Sequence, residues 1–161
     1  MSTQHPDWRT LIIDCFSSAQ YMALATNGPK GLWNNPVYFA WDDKFGLYFI
    51  SQLDCNHVEN LLANPDVACT IYDSNQNTLG DVIGAYITGH VYEVTNPTEK
   101  SMAEDIYYGR IHPADEQAQD INGYRNDASW HMFKIDLTGL WYFDTRYFGE
   151  HRTPVPEIYW K

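Results

Sequence analysis

The chain has 161 residues, 44% of them hydrophobic and 16% aromatic, and carries a formal net charge of −11 from ten basic and twenty-one acidic residues. Its length suits one domain, residues 1–161, with a core of its own, and its aromatic content excludes a disordered chain and favours a β-rich interior. No basic stripe is present to neutralise phosphates, which argues against nucleic acid or an anionic membrane as a partner.

In chain order, Trp8, Leu11, Ile12, Cys15 and Phe16 recur at helical spacing and predict an amphipathic helix over Asp7–Ser17. Tyr21–Thr26 reads as a strand closed by an Asn27-Gly28-Pro29 turn. A second strand is expected over Leu32–Trp41, with Pro36 marking an edge or a bulge because proline brings no ladder donor. A hairpin connection over Asp42–Gly46 leads into a strand at Leu47–Ser51.

A polar turn follows, then a short helix over Asn56–Ala63, an Asn64-Pro65 stop and a strand at Val67–Tyr72. Unpaired backbone N–H groups converge at such a helix start, which suits an anion, phosphate above all. Asp73–Asp81 reads as a surface loop and Val82–Val94 as a long strand, with Gly84 and Gly89 as bulges or points of close approach. Asn96 and Pro97 open a helix reaching about Tyr108. Gly109–Asp127 is expected to be a long loop with room for a helical turn. Strands at Ser129–Asp136 and Leu140–Asp144, joined by Thr138-Gly139, come last, followed by an extended tail from Gly149. Strands in hairpin succession with inserted helices give a mainly β fold, closing most readily into a small barrel.

Three widely spaced cysteines are expected to be reduced thiols in a cytoplasmic setting. Cys15 and Cys69 sit in apolar patterns, while Cys55 stands at a helix start, where it is either filler or a thiol of lowered pKa. The chain start lacks a basic segment followed by a long apolar run, and no apolar stretch approaches membrane-spanning length. The histidines show no paired metal spacing, so no metal site is expected, and no Ser-His-Asp, G-x-S-x-G or P-loop pattern is present.

The fragments ALATNGPKGLWNNPVYFAWDDKFGLYFIS, HVENLLANPDVACTIYD, GAYITGHVYEV and WHMFKIDLTGLWYFD, in this order and spacing, resemble the FMN-binding split-barrel superfamily of pyridoxamine 5'-phosphate oxidase type. The resemblance spans roughly residues 21–148. It implies a six-stranded antiparallel split β-barrel that forms a homodimer, with FMN sites between subunits. By the same resemblance, Asn34, Asn35, Pro36, Val37 and Tyr38 run along the flavin, and Ile50 and Ser51 contact it at a strand end. Asn56 and His57 fall where relatives carry a basic pair around the phosphate.

Asn56 can instead cap the helix, and His57 can instead lie exposed in its first turn. Asn56 offers a neutral hydrogen bond where arginine would offer a charged fork, which leaves a protonated His57 to supply charge. Lys30 is a further cation that could reach this end. Tyr86 stands where relatives often have glutamine at the flavin edge, and it and Trp141 are candidates to stack on the ring, though such aromatics also serve cores. Arg152 is a candidate to bind an anionic substrate.

The implied function is an FMN-dependent oxidoreductase acting on a small molecule, with catalytic residues left unassigned because the flavin carries the chemistry. The alternative is a non-catalytic flavin- or haem-binding, stress-related protein using the same groove. A third reading is an interaction module whose site the Asn56 and Tyr86 changes have emptied.

Overall fold

The computed structural model describes residues 7–74, 82–111 and 123–161. Most of the predicted loops Asp73–Asp81 and Gly109–Asp127 lies outside these residues. Helix α1 (Trp8–Ser18) is capped by the Asp7 carboxylate, which accepts from the Arg9 amide at 3.1 Å. Its buried face, Ile12, Cys15 and Phe16, packs against the sheet as the spacing predicts.

Strands β1 (Tyr21–Gly28) and β2 (Gly31–Tyr38) form a hairpin paired from Tyr21 opposite Tyr38 to Gly28 opposite Gly31. The sheet continues through β3 (Ala40–Trp41), β4 (Leu47–Ser51), β5 (Asp66–Tyr72), β6 (Ile83–Glu93), β7 (His131–Asp144) and β8 (Thr153–Pro154). Its order is β2-β1-β5-β6-β7-β4-β3, with β8 beside β7, and every pairing is antiparallel. The result is an open, curled sheet of the split-barrel type, with eight strands where six were expected.

The strand count differs for identifiable reasons. The predicted strand Leu32–Trp41 breaks at Phe39: β2 pairs β1 on one side of the break and β3 pairs β4 on the other. Pro36 does lie on an edge strand, opposite Ala23. The two predicted strands over Ser129–Asp144 are instead one, β7, because Thr138-Gly139 makes a bulge and not a turn. The register against β6 shifts between Thr88 and Gly89, with Leu137 opposite Gly89 and Gly139 opposite Thr88. Gly89 has no room for a side chain, since a Cβ there would meet Ile135 Cγ2 at 2.5 Å and the Asp136 carbonyl oxygen at 2.7 Å. Gly84, expected to act likewise, sits in regular pairing with only ordinary contacts around it. The tail does not simply extend: beyond β8 it turns at Glu157–Tyr159 and buries Val155 and Trp160, whose indole N–H donates to the Val155 carbonyl at 3.0 Å.

The main core fills the inside of the curl, where Phe16 meets Phe39, Trp41 and Phe45 edge-on at 5.9, 5.5 and 5.7 Å. Cys15 and Cys69 lie in it, and burial pushes both thiols up to about 12, so they are inert fillers as expected. A second apolar cluster, with Tyr48, Val94, Tyr107, Tyr108 and Met132, lies under helix α3 (Pro97–Gly109). Asn96 caps that helix as the sequence indicates, accepting from the amides of Thr98 and Glu99.

Arg110, just past α3, joins these layers. Its guanidinium donates to the carbonyls of Phe16 (2.9 Å) and Ala19 (2.5 Å) at the end of α1, and to that of Phe39 where the strand breaks. It also lies 4.3 Å from the Phe39 ring centroid and 4.6 Å from that of Trp41. Arg110→Ala is expected to cost about 3 kcal/mol, since charged hydrogen bonds to half-buried carbonyls are lost and leave those carbonyls unpaired. Urea unfolding checks this: a lowered midpoint with unchanged slope is expected, and a midpoint equal to the parent's would contradict the assignment.

Candidate cofactor site

Helix α2 (Asn56–Ala63) sits against the β1–β2 hairpin and is fixed there by Asn60, which is fully buried. The Asn60 amide donates to Thr26 Oγ1 at 3.1 Å and to the Gly31 carbonyl at 2.8 Å, and its Oδ1 accepts from the Lys30 amide at 2.8 Å. Gly28 permits this approach, because a Cβ there would stand 2.7 Å from Asn60 Cα. One turn earlier on the same helix, His57 is thereby held against the end of β4.

His57 Nε2 lies 2.8 Å from Ser51 Oγ, and the two residues are only 7% and 4% exposed. Burial pushes the imidazole below its ordinary value near 6.5, so at neutral pH His57 is neutral in the free protein. The exposed alternative for His57 is thus not found, since the side chain is buried. Cys55, not Asn56, occupies the N-cap position, and it makes no side-chain cap bond; Asn56 is the first helical residue. Lys30, the other candidate cation, pairs with Glu59 of α2 at 3.0 Å.

Ser51 and His57 open onto a cavity of about 340 Å³ that Asn35, Pro36, Val37, Tyr38 and Ile50 also line, within the range of small-molecule sites. The structure therefore brings seven of the predicted site residues together. Asn34 lines a neighbouring cavity of about 600 Å³ that shares Tyr21, Asn35 and Pro36 with the first. Asn56 lies outside both linings. Asn35 Oδ1 is buried and has no hydrogen-bond partner among the described residues. Such an acceptor costs free energy until a donor reaches it.

Tyr86, Trp141 and Arg152 gather elsewhere. Tyr86 stands opposite Trp141 across the β6–β7 ladder, and the Arg152 guanidinium lies 4.7 Å from the Tyr86 ring centroid. None of the three lines the cavity.

Four lining aromatics escape a sequence reading: Tyr21, Tyr107, Tyr124 and Trp130. Tyr107 meets Tyr38 edge-on at 5.3 Å, and Tyr124 stacks on Trp130 at 4.3 Å. The one signal for Tyr107 is its place four residues after the buried Ala103 on α3; Tyr124, in a 3₁₀ turn, has none. Among the described residues, no group of three or more His, Cys, Asp or Glu could hold a metal ion, and no helix is long and apolar enough to cross a membrane.

A family model described as pyridoxamine 5'-phosphate oxidase matches residues 12–144. The chain belongs to this family. Its fold is similar to that of a heme binding protein from Mycobacterium smegmatis, with a TM-score of 0.76 at 12% identity over 97% of this chain and 60% of that one. The chain thus spans about three fifths of that protein's length. It is also similar to HutZ, the heme storage protein from Vibrio cholerae (TM-score 0.65, 16% identity, 84% of this chain and 94% of that one). General Stress Protein 26 from Bacillus anthracis is a further similar structure (TM-score 0.63, 12% identity, 91% and 98%). At these identities the likeness is one of fold. No match is found among curated proteins.

The buried His57 predicts a pH dependence of stability. Its folded pKa is depressed, so the unfolded chain binds a proton more readily, and stability is lost as the pH falls through and below about 6.5. Urea unfolding of the parent and His57→Gln between about pH 7.5 and pH 5 should show a smaller acid loss in the variant. Identical acid losses would remove the assignment.

Proposed function

We propose that this protein binds a flavin in the cavity between β2, β4, α2 and α3 and serves as a cofactor-holding protein. The observation that carries this reading is a cavity walled by aromatic rings and lined by Asn35, whose buried Oδ1 has no hydrogen-bond partner among the described residues. The flavin ring system has an N–H donor to offer such an acceptor and flat faces that suit Tyr38, Tyr107 and Trp130. Ionised haem carries no comparable donor on its edge. Its iron would need an axial ligand, and among the described residues the one histidine lining the cavity, His57, has its Nε2 engaged by Ser51. Haem remains the natural competitor, since two of the similar structures are a heme binding and a heme storage protein.

Asn35, Ser51 and His57 would supply the polar contacts, and the tyrosines would exclude water. Bound flavin would bring hydride and electron chemistry to the site. An FMN-dependent oxidoreductase is the second reading, favoured by the family match over residues 12–144. A homodimer with the site near the subunit boundary is part of the same proposal. Leu32 and Trp33, 85% and 42% exposed on the edge strand β2, support it.

Titration with a flavin should quench its fluorescence and shift its absorption band, whereas haemin should give no tight, saturable Soret change. Tight haemin binding without flavin binding would overturn the proposal. Bleaching of the bound flavin by NADH or NADPH would favour the oxidoreductase reading over the cofactor-holding one. Asn35→Leu is expected to weaken flavin binding about tenfold while leaving Tm unchanged or slightly raised, because it removes an acceptor that lacks a donor in the free protein. Unchanged affinity would separate Asn35 from the ligand.

A further inference from the structure

We infer that the cavity recognises the uncharged part of its ligand and not a phosphate, so that riboflavin binds at least as tightly as FMN. This rests on the flavin reading above and names the ligand class for the same site.

A phosphate dianion leaving water needs positive charge or several charge-assisted hydrogen bonds. Among the described residues, the cavity lining contains neither lysine nor arginine. At its edge, the start of α2 presents Asn56, which is neutral, and the largely buried His57, whose Nε2 is engaged by Ser51 at 2.8 Å.

The cations around the cavity are paired. Lys100 and Arg125 line an adjoining cavity that shares Ile50, Tyr124 and Trp130 with it, and they pair with Glu104 at 4.0 Å and Asp105 at 2.9 Å. Lys30 is held by Glu59 at 3.0 Å, and Glu59 itself sits in the first turn of α2, where its carboxylate offsets the positive end of the helix dipole. Arg110 lies 5.3 Å from the Tyr38 ring centroid, but its donors face the carbonyls of Phe16, Ala19 and Phe39. A net charge of −11 adds a field that discourages any anion from approaching. What the cavity does offer is aromatic surface, the Ser51 hydroxyl and the Asn35 side chain, whose buried Oδ1 lacks a partner among the described residues. These suit a planar, neutral, multi-ring ligand with N–H and hydroxyl donors.

Dissociation constants for riboflavin and FMN, measured by flavin fluorescence on the intact apo-protein at about 0.05 and about 0.5 M salt, test this. The expected result is a riboflavin constant equal to or below that of FMN, with FMN binding unchanged or tightened by salt as repulsion is screened. FMN binding about tenfold tighter than riboflavin, and weakening as salt rises, would overturn the inference while leaving the flavin reading standing. Binding of neither flavin would overturn that reading and this inference with it. Asn56→Arg supplies the missing charge at the start of α2 and should tighten FMN about tenfold without moving riboflavin. An unchanged FMN-to-riboflavin ratio in that variant would show that charge at this helix end is not what the site lacks.

Discussion

A half-buried guanidinium surrounded by carbonyls and aromatic faces holds the point where α1, α3 and the broken strand β2–β3 meet. Arg110 can occupy that place because a guanidinium is weakly hydrated, has five donors in a plane, and stacks on rings, all of which lower the cost of removing it from water. Its bond to the Phe39 carbonyl withdraws that oxygen from strand pairing, and Phe39 is where the chain stops following β1 and begins to follow β4. The change of partner turns the edge of the sheet inward. The cavity lies beside that corner, with Tyr38 one residue before the break and Tyr107 three residues before the arginine.

Asn60 performs the matching task on the other wall. A buried amide with its donors and acceptor satisfied is specific in a way that an apolar contact is not, because any shift of α2 would leave the Thr26 hydroxyl, the Gly31 carbonyl or the Lys30 amide unpaired. Ser51 and His57 inherit their position from this lock. Polar groups are closely satisfied at both corners, and the buried Asn35 Oδ1 differs in having no partner among the described residues.

The sequence made most elements legible because their patterns are local: the 3.6-residue spacing of α1, the Asn96 cap of α3 and the alternation in β5 each require only a few neighbours. The breaks were harder to read. Nothing within Leu32–Trp41 announces that Phe39 will give its carbonyl to an arginine about seventy residues away, and Thr138-Gly139 looks like a turn until its bulge partner Gly89 is beside it. The same distinction divides the candidate site. Asn35 to Tyr38, Ile50, Ser51 and His57 converge because ladder register and the Asn60 lock bring them together, whereas Tyr86 and Trp141 face each other on the β6–β7 ladder and Arg152, just before β8, reaches the Tyr86 ring. The lining tyrosines and Trp130 depend on how α3 and the segment after it return to the sheet, which no short window encodes.

Charge also had to be read in place and not by count. An anion site looks plausible from a helix start with a histidine in it, since the backbone dipole and an imidazolium would act together. Folding weakens both advantages in the free protein: burial lowers the pKa of the imidazole, and Glu59 opposes the dipole while also engaging Lys30. Arg110, beside Tyr38, is committed to holding the sheet corner. A chain with ten basic residues against twenty-one acidic ones has few cations to place, and the corner that shapes the cavity takes one of them. The contact that holds the corner beside the cavity thus also commits one of the chain's few cations.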